Sequence, residues 1–357
     1  MFQMLSKTTK QHRQKKALTS IFEVKFNVWE WVRKQLFSIS LEEATFSRRG
    51  FLAGDSKAQR YLEQIGYTFL QGYHLAITVD QPEGLSAQLN EITTADLRGF
   101  AFEGAAMGLM LLDALTPWRR DRCQRLLTGA GADHCYMVYV GMGWALARLP
   151  WGIHRYLSRL QQTDTLDPQL VNGNSQASHL LDPLLGWLAI DGYGFHQGYF
   201  HWPQYIQRMV LPKGLSGYAT RVFDQGLGRS MWFVEGCDIN RIITRVRSFE
   251  SSRRADLWSG IGLASAYAGG VDRSEIERLK MAAGSNLPQL AQGVAFAAKA
   301  RQRAGNPTAH TNMACELLCG LNADQAADIT DRTLTDLSRE ESMPAYEYWR
   351  QKIQNCF

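Results

Sequence analysis

Apolar residues recur along the chain with a helical period, and one pattern of small and aromatic residues returns at nearly regular intervals. Each copy places a glycine inside an apolar stretch, as in FLQGYHLA at 69–76 and LAQGVAFA at 290–297. The glycines that these copies share are Gly72, Gly104, Gly141, Gly198, Gly226, Gly260 and Gly293. Their spacings of 32, 37, 57, 28, 34 and 33 residues lie near the roughly 34-residue period of helix–turn–helix repeats. The pattern predicts an all-α protein built as a helix–turn–helix repeat array.

A glycine inside a helix costs about 1 kcal/mol relative to alanine. We therefore infer that the glycine stripe lets neighbouring helix backbones approach closely. Second helices are predicted between the marked ones at 119–127, 239–249 and 273–282, with breaks at Thr116-Pro117, Gly269-Gly270 and Gly305 to Pro307. No run of alternating β-branched residues predicts a strand. The period leaves two forms open, a tetratricopeptide-like superhelix and a closed α/α toroid.

The long spacing of 57 residues indicates an insertion, and the polar segment 161–178 (QQTDTLDPQLVNGNSQAS) is typical of a loop. We predict a basic flexible tail over 1–16, an amphipathic N-terminal helix over 17–40, and a single repeat domain over 41–357 that contains this loop. One array is preferred to two domains because the period runs through the whole stretch.

Composition and charge narrow the class of protein. The chain has 45% hydrophobic and 20% charged residues, as globular proteins do. Its net charge of +5 equals that of residues 1–16, so no basic face for nucleic acid is predicted. No apolar run approaches the roughly 20 residues of a membrane span. We predict a cytoplasmic protein; residues 1–40 are either a tail with a capping helix or a peripheral membrane contact.

Polar side chains precede the repeated glycines within otherwise apolar helices. They are Gln71, Glu103, His196 with Gln197, Asp224 with Gln225, and Gln292. Because each occupies the same phase of its repeat, they could converge on one inner surface. Glu103, His196 and Asp224 are the predicted catalytic residues: two carboxyl groups that act as acid or base, and a proton shuttle. The alternative is that these groups only form caps and inter-helix hydrogen bonds.

Further residues are predicted to bind a substrate. Arg98 and Arg229 would bind an anionic group, and His134 and His201 would assist His196. The predicted substrate-binding residues are Arg98, His134, Tyr193, Tyr199, His201, Arg229 and Trp258. No phosphate-binding, zinc-protease or serine-hydrolase motif occurs. His310, Cys315 and Cys319 offer too few ligands for a closed zinc site, so neither a metal nor a cofactor is predicted.

The sequence resembles a bacterial family labelled "enediyne biosynthesis protein", which accompanies the polyketide synthase in enediyne gene clusters. The stretches that carry the resemblance are RGFAFEGAA at 98–106, LTPWRR at 115–120, DGYGFHQGYF at 191–200, GYA at 217–219, FDQGLGR at 223–229, RRADLWSG at 253–260, AYAGG at 266–270, His310-Thr311, and PAYEYWR at 344–350. The resemblance implies a role in maturing, cyclising or desaturating a polyene-like polyketide intermediate, with pathway proteins such as the polyketide synthase as partners. It carries no catalytic assignment. Two functions stay open: a cofactor-independent enzyme on an apolar substrate, and a non-catalytic scaffold that binds a carrier or partner enzyme.

Overall fold

The helices of this protein begin and end where the sequence provides caps and breakers. Asp272 caps the helix that starts at Arg273 by accepting from the backbone N–H of Glu275, whose side chain in turn accepts from the Asp272 N–H. This reciprocal capping box satisfies two amide groups that a helix start leaves unpaired. Before it, Gly269 and Gly270 take positive φ values of 69° and 99°. The break that we predicted at this glycine pair is confirmed.

A computed structural model describes residues 28–79, 81–116, 118–165, 182–335 and 343–357, and this part of the chain is helical without strands. The all-α prediction is confirmed. The first nine α-helices are α1 (Val28–Phe37), α2 (Phe46–Arg49), α3 (Ser56–Val79), α4 (Pro82–Ile92), α5 (Arg98–Leu115), α6 (Arg122–Thr128), α7 (Cys135–Leu146), α8 (Gly152–Thr165) and α9 (Leu188–Phe200). The others are α10 (Tyr218–Val234), α11 (Ile239–Ser248), α12 (Ser251–Tyr267), α13 (Arg273–Ala283), α14 (Leu287–Arg303), α15 (Ala309–Leu318), α16 (Ala323–Arg332) and α17 (Ala345–Gln354). Short 3₁₀ turns cover Leu41–Ala44, Ala132–His134, Leu185–Trp187 and Gly284–Asn286, and a π-helical turn covers Pro203–Gln207.

The glycine-bearing helices pack one against the next in the order α3, α5, α7, α9, α10, α12 and α14. A Cβ atom built on Gly72 of α3 would lie 2.0 Å from the Ala101 carbonyl oxygen of α5. In return, a Cβ on Gly104 of α5 would lie 1.9 Å from the Phe69 carbonyl oxygen of α3. Since no side chain fits at such distances, glycine is required at both positions. The predicted close approach of neighbouring backbones is confirmed.

One glycine of the predicted repeat was placed in the wrong register. On α9 it is Gly192, not Gly198, that faces a neighbouring carbonyl group: its Cβ would lie 2.0 Å from the Val140 oxygen, whereas a Cβ on Gly198 would meet the Ser230 hydroxyl. The spacing from Gly192 to Gly226 is then 34 residues, like the spacings that follow it. The residue that precedes the α9 glycine is therefore Asp191, not Gln197.

Helices that are far apart in the sequence contact each other. Phe100, near the start of α5, packs edge-on against Tyr267 at the end of α12, with ring centroids 5.2 Å apart. Arg301 of α14 donates a 2.6 Å hydrogen bond to the Asp96 carbonyl oxygen. Residues 39–357 thus form one compact unit in which side chains from distant repeats meet.

Several expectations fall partly outside the described residues. Of the predicted N-terminal helix only α1 is described, and the basic tail 1–16 lies outside. Positions 161–165 of the predicted loop belong instead to helix α8, and its remaining positions are outside as well. Within the described chain, no helix is long and apolar enough to cross a membrane.

Candidate functional site

An apolar cavity lies among the glycine-bearing helices α3, α5, α7, α9 and α10. The space between its walls, including the side open to solvent, measures about 510 Å³. Its walls are aromatic and aliphatic, and they comprise Ile39, Glu43, Ala44, Ile65, Gly66, Phe69, Leu70, Phe100, Glu103, Met107, Trp144, Phe195, Tyr199, Phe200 and Phe233. We call this the aromatic cavity. Such walls suit a small apolar ligand with few polar groups.

Glu103 is the fully buried acidic group in the wall of the aromatic cavity. It sits mid-helix in α5, where nearly every neighbour is apolar, and its exposed fraction is 1%. Its Oε1 atom has no hydrogen-bond partner among the described residues. Burial raises the pKa of this carboxyl to about 7, because removal from water disfavours the charged form. At neutral pH the group can therefore both give and take a proton.

Two charged residues, Arg229 and Asp191, shift the pKa of Glu103. Arg229 lowers its pKa and Asp191 raises it, both by less than burial does. The two are ion-paired with each other through Arg229 Nη1 and Asp191 Oδ1. Interaction with the Trp144 indole lowers the pKa slightly further, although the indole N–H lies outside hydrogen-bond geometry with any described acceptor.

Asp191 is the first member of a buried ladder in which each residue precedes a repeated glycine. Gln225 donates a 2.8 Å hydrogen bond from Nε2 to Asp191 Oδ2. Ser259 lies 3.4 Å from Gln225 Oε1 and donates a 2.8 Å hydrogen bond to Gln292 Oε1. The residues that precede the repeated glycines of α9, α10, α12 and α14 thus form a continuous hydrogen-bonded chain, and of these four the sequence had singled out Gln225 and Gln292.

The ladder continues into the C-terminal helix α17. Arg350 donates to Gln292 Oε1 over 3.3 Å, to Asp256 over 2.8 Å and to Glu347 over 2.9 Å. Arg221 pairs with the same two carboxylates. The connected carboxylates are Asp191, Asp256 and Glu347, and the connected guanidinium groups are Arg229, Arg221 and Arg350. Because these charges balance, an ionised Glu103 would add one negative charge to this network.

His196 lies beside the aromatic cavity and not in its wall. Its ring packs edge-on against Trp144, with centroids 5.4 Å apart. The same ring packs at a tilt against Phe200, with centroids 4.6 Å apart. Neither ring nitrogen has a described hydrogen-bond partner. Burial holds the pKa of His196 well below its usual value, so the ring is neutral at pH 7. His196 thus contacts the cavity wall through Trp144 and Phe200.

Asp224 lies away from both Glu103 and the cavity wall. Arg253 clamps its carboxylate with hydrogen bonds of 2.8 and 2.5 Å. Burial nevertheless raises the pKa of Asp224 to about 6, and Arg253 lowers it by a smaller amount. The structure does not bring the three predicted catalytic residues into one cluster: Asp224 pairs with Arg253, and the carboxylate beside Arg229 is that of Asp191.

The predicted substrate-binding residues are distributed around the interior. Tyr199 lines the aromatic cavity, and its hydroxyl donates to the Glu43 carbonyl oxygen over 3.3 Å. His134 stacks on Phe102 at 4.2 Å, and burial lowers its pKa to about 4. The others are Arg98, half-buried at the start of α5, Tyr193 and Trp258, both buried, and His201, which is exposed. Arg229 lines a second cavity.

This second cavity lies among α7, α12, α14 and α17, and the space between its walls, with its open side, measures about 450 Å³. Its walls comprise Tyr136, Met137, Val140, Leu188, Arg229, Leu263, Tyr267, Phe296, Ala297, Lys299, Ala300 and Trp349. Tyr267 interacts electrostatically with both Glu103 and Arg229. The Glu103, Arg229 and Tyr267 group therefore borders both cavities.

No cluster of three or more potential metal ligands occurs among residues 28–79, 81–116, 118–165, 182–335 and 343–357. His310 instead makes a 3.2 Å contact with the Tyr267 carbonyl oxygen. Sequence reasoning did not single out Asp191, Trp144 or Tyr267. The 34-residue interval counted backwards from Gly226 would have found Asp191, whereas the other two require the folded contacts.

Comparison with known proteins places the chain in a family but gives it no characterised relative. No curated protein and no solved structure matches it. One family pattern, described as "Protein of unknown function (DUF1702)", matches residues 28–357. That match covers nearly the whole chain, so the protein belongs to the DUF1702 family of proteins of unknown function.

Proposed function

We propose that this protein is a proton-transfer enzyme that isomerises or cyclises an apolar, polyene-like molecule of the polyketide type. The observation that carries the proposal is Glu103, a buried carboxyl with an unpartnered oxygen in the wall of the aromatic cavity. A general acid–base group works best when its pKa is near the ambient pH, and that of Glu103 is about 7. The polyketide class comes from the resemblance to the enediyne-associated family.

The aromatic cavity suits such a substrate. Phe69 and Phe195 pack against Trp144 with ring centroids 4.5 and 5.1 Å apart, and these faces can stack on a conjugated chain. The space between the cavity walls, which includes the side open to solvent, measures about 510 Å³. Since part of this space is the open side, the enclosed part is too small for a long ligand. Such a ligand would displace half-exposed side chains such as Phe200 on entry.

The proposed chemistry needs only one proton and returns it. The Glu103 carboxylate takes a proton from an sp³ carbon next to the conjugated system, and the electron pair moves into that system. The protonated Glu103 then donates the proton to a distant carbon, so that a double bond has moved, or a ring has closed, without any change in composition. Arg229, held by Asp191, stabilises the negative charge that forms beside Glu103.

His196 and Asp224 enter this proposal in different positions. Neutral His196 borders Trp144 and would act by fixing the indole against the ligand. Asp224, clamped by Arg253, would act as a structural ion pair. Their catalytic roles, as the sequence predicted them, remain hypotheses that the same experiment tests.

A non-catalytic scaffold is the second candidate, and the ladder from Asp191 to Arg350 favours it. Most of its polar groups satisfy one another, as those of a rigid binding array would. In such a protein Glu103 would be a buried structural carboxyl. The two functions differ in whether Glu103 must ionise.

The test is complementation of a strain that lacks this gene, followed by metabolite profiling by mass spectrometry. We expect Glu103→Gln to accumulate the same compound as the deletion, whereas Glu103→Asp retains part of the product. Asp224→Asn and His196→Ala are compared in parallel. If Glu103→Gln restores the full product while the deletion does not, the scaffold function replaces the enzymatic one.

A further inference from the structure

The second cavity contains a buried hydrogen-bond donor without an acceptor. The exposed fraction of Tyr267 is 2%, and its hydroxyl has no partner among the described residues. A buried hydroxyl of this kind destabilises the fold, whereas phenylalanine would fill the same space without that cost. We therefore infer that a ligand supplies the hydrogen-bond acceptor for this hydroxyl.

The Tyr267 hydroxyl lies close to Gly99 of α5, where a larger residue would collide with it. A Cβ atom built on Gly99 would lie 1.9 Å from the Tyr267 oxygen. The Arg301 guanidinium lies 4.0 Å from the centroid of the Tyr267 ring and donates a 2.7 Å hydrogen bond to the Tyr267 carbonyl oxygen. Both the ring and its backbone are thus fixed.

The charges around the cavity favour a neutral acceptor over an anion. Arg229 is paired with Asp191, and Lys299 is paired with Asp331 at 2.5 Å. Neither cation is left to balance a carboxylate or phosphate. The remaining walls are mostly apolar and aromatic, including Phe296 and Trp349.

We propose that the second cavity binds a carbonyl group of an otherwise apolar ligand, with the Tyr267 hydroxyl as hydrogen-bond donor and Arg229 beside it. The inference rests on the proposed function in taking this carbonyl compound as the substrate.

The test measures binding without any reaction, using two probes of nearly the same shape. Acetophenone carries C=O where α-methylstyrene carries C=CH₂. Equilibrium dialysis with the full chain, followed by gas chromatography, gives each affinity. We expect Tyr267→Phe to weaken acetophenone binding about fivefold, the effect of one lost hydrogen bond, and to leave α-methylstyrene binding unchanged.

Two cavity-filling variants identify where the probes bind. Ala300→Leu reduces the space of the second cavity and should weaken both probes, whereas Ala44→Leu fills the aromatic cavity and should leave acetophenone binding unchanged. Thermal unfolding checks that each variant is folded. The inference is overturned if wild type binds neither probe, if Tyr267→Phe affects both probes equally, or if only Ala44→Leu blocks acetophenone.

The outcome separates this inference from the proposed function. Carbonyl binding that depends on Tyr267, together with normal metabolites in Glu103→Gln cells, would refute the enzymatic role alone. Loss of product in those cells without Tyr267-dependent binding would refute only the carbonyl site.

Discussion

Replacing Glu103 by Gln removes a buried ionisable group while preserving the size of the side chain. In the folded protein the protonated carboxyl is favoured, because burial raises its pKa from 4.5 to about 7. The unfolded chain ionises at the lower value. The contribution of this group to stability is therefore fully present below about pH 4.5 and is lost as the pH rises through about 7.

The size of the effect follows from the shift in pKa. One pKa unit corresponds to about 1.4 kcal/mol, so a shift from 4.5 to about 7 corresponds to about 3 kcal/mol of stability lost above neutral pH. Glutamine cannot ionise and escapes this loss. We compare the free energy of unfolding of Glu103→Gln with that of wild type. The difference, variant minus wild type, should be about 3 kcal/mol larger at pH 8 than at pH 4.

Urea unfolding followed by circular dichroism at several pH values between 4 and 8 measures this difference. Glu91→Gln, a change of an exposed carboxyl on α4, reports the background of the assay. The argument for a raised Glu103 pKa fails if the difference between Glu103→Gln and wild type is the same at every pH.

Three further predictions concern stability. Asp191→Asn leaves buried Arg229 without its counter-charge and should lower the free energy of unfolding by about 3–5 kcal/mol; a loss below 1 kcal/mol in urea unfolding would contradict the pairing. Gly226→Ala places a Cβ 1.9 Å from the Asp191 carbonyl oxygen and should cost at least about 1–3 kcal/mol. In its matched control, Gly84→Ala, the new Cβ makes an ordinary contact with Val79 at 3.9 Å and should stabilise α4 by roughly 0.5–1 kcal/mol, so equal melting temperatures for the two variants would be inconsistent with the packing. Burial lowers the pKa of His134 from 6.5 to about 4. As the pH falls from 7 to 4, the free energy of unfolding of wild type should therefore drop by about 2–3 kcal/mol relative to that of His134→Phe. Parallel pH profiles of stability for the two proteins would refute this.

The helices and their close packing could be predicted because local sequence controls both. Helix α13 was predicted over 273–282 and observed over Arg273–Ala283, since Asp272 and the glycine pair before it mark the start. The need for glycine at positions such as Gly104 follows from the repeat, because the same contact recurs at each pair of helices.

The register of α9 and the composition of the site could not be obtained in this way. The segment DGYGFHQGYF offers three glycines, and only the folded contacts show that Gly192 faces Val140 of α7 and Gly194 faces Phe223 of α10, whereas Gly198 faces the Ser230 side chain. Because Gly198 was taken as the repeated glycine, the sequence predicted His196 and not Asp191 as the polar residue of α9. The roles of Trp144 and Tyr267 depend on contacts between helices far apart in the sequence, Trp144 with Phe69 and Tyr267 with Phe100, which pattern alone does not encode.

The central claim is that Glu103 transfers a proton to and from carbon. Its most direct test incubates the compound that accumulates in the Glu103→Gln strain with purified protein in D₂O. We expect wild type to form an isomer of that compound, whose new C–H bond carries either the proton that Glu103 removed or a deuteron that Glu103 exchanged with solvent, and Glu103→Gln to form no isomer. Conversion by Glu103→Gln at the wild-type rate would contradict it.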